Sequence, residues 1–155
     1  MPLFTLFILL MLFDLAFHFK NPGFFIAMVI VHLTFKKFLG VNITQGLADI
    51  PCAFFGMLAL YTLLKIPKKE SFEKIGIKVV ISSIFIAGAA VTKQVGLLLI
   101  GIYPLLIYLF IIKNIEGVEK SKVIRILLIS LILILVITLP WYLSRQFLIT
   151  KGQEN

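Results

Sequence analysis

Three ionisable side chains stand at the ends of long apolar runs: Asp49, Lys93 and Arg145. Asp49 sits in Gly46-Leu47-Ala48-Asp49-Ile50-Pro51, at the mouth of a run that reaches Leu64. Lys93 sits in Thr92-Lys93-Gln94, a polar turn between two further runs. Arg145 lies one turn beyond Trp141 in Leu139-Pro140-Trp141-Tyr142. An ammonium is a compact point charge and a guanidinium a planar fork, and both suit a phosphate. Each residue also has a plainer role. Asp is a good helix cap and Pro fits the first helical turn. A lysine at a helix end snorkels to the interface. Trp141 and Tyr142 read as interface anchors at the end of a span.

A second constellation is Asp14 with His18, four residues apart and so on one helix face. Inside a membrane such a pair could relay protons, and at a membrane edge it is a local structural pair. Cys52 is the only cysteine and has no partner for an intrachain disulfide. Asn42-Ile43-Thr44 is a glycosylation sequon close to the apolar layer. The sequence holds no metal-binding cluster, no nucleophile elbow and no phosphate-binding glycine loop, and it identifies no cofactor or metal. Only Asp49 and Glu154 are acids on the Lys93 side, so no paired carboxylates stand there for acid–base work.

The elements that must carry these residues are membrane helices. The chain is 61% hydrophobic, with a mean hydropathy of +1.10. That excludes an ordinary soluble domain. Backbone groups in lipid must pair within their own segment, so each apolar run must be helical. The fold class is therefore all-α, a polytopic bundle of about six spans in one domain covering 1–155. The spans are Leu3–Phe19, Phe24–Phe38, Asp49–Leu64, Ile75–Val91, Val95–Ile112 and Val123–Tyr142. The second is short and carries His32. Leu3–Phe13 lacks a basic leader and a small-residue cleavage site, so it reads as a span and not a signal sequence.

Orientation follows from the basic residues. Ten lie on one side: Lys20, Lys65, Lys68, Lys69, Lys74, Lys78, Lys113, Lys120, Lys122 and Arg125. Five lie on the other: Lys36, Lys37, Lys93, Arg145 and Lys151. The positive-inside rule makes the ten-charge side cytoplasmic and puts both termini, Asp49 and Lys93 outside. The net charge of +8 is accounted for by loop lysines beside anionic lipid, with no nucleic acid as partner. The expected location is the plasma membrane, with lipid as a partner.

The ordered blocks Gly46-Leu-Ala-Asp49-Ile-Pro51 with Ala53-Phe-Phe and Leu58-Ala-Leu-Tyr61, then Gly88-Ala-Ala-Val-Thr92-Lys93-Gln-Val-Gly96-Leu-Leu, then Leu139-Pro140-Trp141-Tyr142-Leu, resemble the membrane glycosyltransferases of the GT-C fold. The similar enzymes are family 39-like and include protein O-mannosyltransferases and aminoarabinose transferases. The resemblance covers about Leu15 to Tyr142. It implies transfer of a sugar from a polyprenyl-phosphate carrier to an acceptor hydroxyl on the outer face. It implies that Lys93, Arg145 and Asp49 lie on the carrier-phosphate side, with Pro140 and Trp141 at the outer membrane edge. The family's catalytic Asp, in an outer loop before the matched region, has no counterpart here. The chain then reads as a central fragment with no catalytic residue of its own, inactive alone, with the missing part of a split enzyme as a partner. Two other readings stay open. One is a small oligomeric transporter or channel subunit using an Asp14–His18 relay, and the other is a membrane scaffold. A transporter more often places its charges near the midplane, whereas Asp49, Lys93 and Trp141 fall on one face.

Overall fold

The computed structural model describes residues 2–41, 49–67, 71–114 and 119–153, with side chains over 3–34, 50–67, 71–110 and 119–147. Among the described residues all regular structure is helical, in six helices: α1 Pro2–Phe19, α2 Gly23–Val41, α3 Asp49–Leu64, α4 Phe72–Thr92, α5 Gly96–Asn114 and α6 Lys120–Gln153. Each expected span lies on one helix, except that Val95 falls in the turn before α5. The largest difference is at α6, which runs eleven residues past Tyr142. Pro140 supplies no N–H inside that helix. In apolar surroundings the neighbouring backbone groups still gain more from helical pairing than from breaking off.

The helices alternate in direction. The Phe4 and Phe54 rings lie 5.0 Å apart, and Asp14 meets Tyr61 and Lys65, so α1 and α3 run the same way. Ser82 donates to the Ala59 carbonyl at 2.9 Å, and Lys78 donates to the Lys65 carbonyl at 3.1 Å, so α4 runs opposite to α3. Gly76 lies beside Ile126, and Tyr142 reaches Ala90, so α6 parallels α4 while α5 returns between them. One end of the bundle therefore gathers the starts of α1, α3 and α5, the end of α4 and the Tyr142 stretch of α6. The other end gathers Lys20, Lys65, Lys74, Lys78, Lys120, Lys122 and Arg125.

Helix α4 is the hub, touching α3, α5 and α6, while α1 joins α2 to α3. Its sequence explains this. Ser82, Ser83, Ala87, Ala89 and Ala90 are all buried, and small side chains let backbones approach closely. Gly88 lies against the Phe55 ring, where an added Cβ would stand 3.3 Å away. The main core holds Leu63, Ile75, Val79, Tyr103, Ile107 and Ile134. A second cluster packs Ile8, Met11 and Leu12 of α1 against Phe54 and Met57 of α3.

The interior also carries hydroxyls. Tyr103 donates to the Val79 carbonyl at 3.0 Å, and Ser83 donates to the same carbonyl at 2.7 Å. With the Ser82 bond to Ala59, these tie α3, α4 and α5 together. Meanwhile the surface is apolar on several helices: Phe17 is 62% exposed, Ile26 63%, Leu98 67% and Val136 64%. Polar groups inside and large apolar groups outside is the pattern that lipid selects. Two helices, over Phe72–Thr92 and Lys120–Phe147, are long and apolar enough to cross a membrane, and the other four carry apolar stretches of 10–17 residues. Length and composition therefore support membrane crossing for α4 and α6 in the first instance.

Candidate functional site

The turn between α4 and α5 is built by close backbone contact. Thr92 donates to the Ala89 carbonyl at 2.7 Å. The Lys93 N–H ends α4 by donating to that carbonyl at 3.3 Å, and the Gly96 N–H donates to the Lys93 carbonyl at 2.8 Å. Gly96 is required by space. A Cβ there would stand 2.3 Å from the Ala89 oxygen and 2.6 Å from the Ala90 Cα. Lys93 is thus carried on a turn whose backbone groups are engaged on both sides, and its side chain is half-buried.

Helix α6 comes to this turn through Tyr142. The phenol donates to the Ala90 carbonyl at 3.0 Å, three residues before Lys93. Trp141 packs edge-on to Tyr142, with ring centroids 4.9 Å apart. Arg145 lays its guanidinium over the Trp141 ring, 5.4 Å from the centroid. That contact uses the π-face and leaves the in-plane N–H donors available. Cys52 is buried in the first turn of α3, and α3 runs opposite to α4. The start of α3, the Lys93 turn and Trp141–Arg145 therefore share one end of the bundle. Asp49 is the first helical residue of α3, with Pro51 in the first turn, and its side chain lies outside the described residues. The sequon Asn42–Thr44 lies outside them as well.

Asp14 takes a different set of partners from the one its sequence spacing suggests. Its Oδ2 accepts from Lys65 Nζ at 2.6 Å and from the Tyr61 hydroxyl at 2.8 Å. Lys65 also lies over the Tyr61 ring, 5.7 Å from its centroid. His18 is exposed and sets its ring edge-on to Phe19 at 4.9 Å. The direct pairing is thus between helices, and the Asp14–His18 pair does not form one. Tyr61 and Lys65 are four residues apart at the end of α3, so they reach one carboxylate from a single face. That spacing was visible in the sequence, whereas the register of α1 on α3 was not. The Asp14 hydrogen bond, the largest influence on Lys65, raises its pKa above the ordinary 10.5. Among the described residues no group of acids, histidines and cysteine could hold a metal ion.

No family model, curated protein or solved structure matches the chain.

Proposed function

We propose that the chain is a membrane module of a GT-C-like glycosyltransferase, holding the phosphate of a polyprenyl-phosphate sugar at its Lys93 end. The observation that carries this reading is the Tyr142–Ala90 hydrogen bond of 3.0 Å. It draws a guanidinium, braced on Trp141, to the same end as the lysine of the α4–α5 turn. Two cations of different geometry beside an apolar surface suit a phosphate on a long apolar chain. In sugar transfer the acceptor oxygen bonds to the anomeric carbon as the anomeric C–O bond to that phosphate breaks, and the carrier phosphate leaves with the electron pair of the broken bond. Lys93 and Arg145 would stabilise its growing negative charge, which is where fixed charge lowers a barrier. Attack by the acceptor hydroxyl needs a base that this stretch does not carry, so the chain alone binds carrier without turning it over.

The reading includes six crossings. Helix α1, at about 1.5 Å per residue, has a length of roughly 27 Å, close to the hydrocarbon thickness. The alternating directions and the exposed apolar faces support the same topology. Basic residues concentrate at the end opposite Lys93, which supports a cytoplasmic basic end. The location is then a multi-pass chain of the plasma membrane.

The test is binding of a polyprenyl phosphate to the purified chain. Lys93→Ala should weaken it about tenfold or more, since a charge-assisted hydrogen bond contributes roughly 1.5–3 kcal/mol and about 1.4 kcal/mol is tenfold. Lys74→Ala, at the basic end, serves as the control. Equal affinity for the two variants would overturn the assignment of Lys93.

A further inference from the structure

At the basic end, α4 and α6 part to leave an open groove of about 370 Å³. Its floor is Gly76 and its walls are Ile77, Val80, Ile126 and Ile129. Gly76, with no side chain, leaves the floor of the groove low. An added Cβ would meet only the Ile126 tip, at 3.9 Å. The volume lies at the low end of ligand pockets, roughly 300–1,000 Å³.

The chemistry of the mouth is mixed in sign. Glu73 lies one turn before Ile77 and lines the groove. On α6, Arg125 lies one turn before Ile129, and Lys122 one turn before Ile126, so both stand on the helix stripes that line the groove. Lys122 is shared with Glu119 at 3.5 Å. Glu73 and Arg125 have no ion pair among the described residues, and both are exposed. An apolar slot lined by one acidic residue, with a guanidinium one helical turn before Ile129 of its opposite wall, matches an amphiphile that carries both charges. We infer that this groove binds a phospholipid with a phosphoethanolamine headgroup. One acyl chain lies along the isoleucines, the phosphate meets Arg125, and the primary ammonium meets Glu73. The three N–H donors of that ammonium distinguish it from choline, which has none to give a carboxylate.

The inference rests on the membrane reading but not on sugar transfer or on the carrier site, which lies at the opposite end. The experiment is native mass spectrometry of the detergent-purified chain, titrated in parallel with phosphatidylethanolamine, phosphatidylcholine and phosphatidylglycerol of the same acyl composition. Phosphatidylethanolamine should be retained about fivefold or more over the other two, as expected for a charge-assisted contact at a partly wet site. Glu73→Gln should bring it down to the level of phosphatidylcholine. Arg125→Gln should weaken all three, and Gly76→Leu should fill the groove and do the same. Glu73 is exposed, so its variant keeps the fold and keeps the test decisive if Gly76→Leu does not fold. Equal retention of the three lipids by the native chain would overturn the inference, as would a preference unchanged by Glu73→Gln. Loss of membrane integration itself, read by alkaline extraction, would instead remove the membrane reading beneath it.

Discussion

Asp14 of α1 and Lys65 at the end of α3 meet at 2.6 Å, with Tyr61 donating to the same carboxylate oxygen at 2.8 Å. This contact joins the α1–α2 hairpin to the rest of the bundle near its basic end. At the opposite end the hairpin is held by rings, chiefly Phe4 and Phe7 against Phe54.

The pair is partly open to solvent, at 28% and 47% side-chain exposure, so its coupling is modest. A double-mutant cycle of Lys65→Met and Asp14→Asn, read by thermal melts in detergent, should give about 0.5–1 kcal/mol. A coupling near zero would make the contact incidental to α1 docking.

The same pair sets a dependence on alkaline pH. The pKa of Lys65 is raised in the folded chain above its ordinary 10.5. A raised lysine contributes fully below its unfolded value, and the contribution is lost as pH rises through the folded value. The gap in Tm between the native chain and Lys65→Met should hold from neutral pH to about pH 9 and close on the alkaline side of 10.5. A gap unchanged at strongly alkaline pH would count against a charged Lys65 as its source.

Two glycines of α5 should answer oppositely to alanine. At Gly96 the added Cβ would collide with the Ala89 carbonyl, and at Gly101 it would meet nothing within 4 Å. Gly96→Ala should cost about 1–3 kcal/mol and, under the proposed function, disturb carrier binding through the Lys93 turn. Gly101→Ala should be neutral or stabilising by about 0.5–1 kcal/mol. Melting temperatures of the two variants check this directly, and similar values would deny the close approach at the turn.

Lys20 ends α1 at a φ of 50°, a left-handed conformation that favours glycine. The backbone there is closed by the Asn21 N–H donating to the Ala16 carbonyl at 3.3 Å. Lys20→Gly should stabilise the chain by about 0.5–1 kcal/mol, and Lys20→Val should destabilise it by more. A lower Tm for the glycine variant would show that the lysine side chain does more than tolerate the turn.

Topology has its own check. With Cys52 replaced by serine, single cysteines at Gln94 and Lys74 should be labelled by a membrane-impermeant reagent from opposite sides, Gln94 from the outside. Labelling of both from one side would contradict an odd number of crossings between them.

Much of the secondary structure is legible in the sequence because long apolar runs between charged clusters favour helices. The apolar runs and the charged clusters between them mark the positions of the six helices, to within a few residues at most ends. The seriousness of Gly96 and the small residues Gly88 to Ala90 can be read as a close helix turn. What only the tertiary structure decided is register between helices. Asp14 has His18 four residues away in sequence, but its partners are Tyr61 and Lys65, because the packing of Ile8, Met11 and Leu12 on Phe54 and Met57 sets how far α1 slides along α3. The 34 residues of α6 continue past the Pro-Trp-Tyr stretch that looks like a span end. Tyr142 then reaches Ala90 because α6 parallels α4. The groove at Gly76 depends likewise on how two helices diverge. Such alignments arise from side-chain fit summed over whole helix faces, and no local pattern of residues encodes that sum.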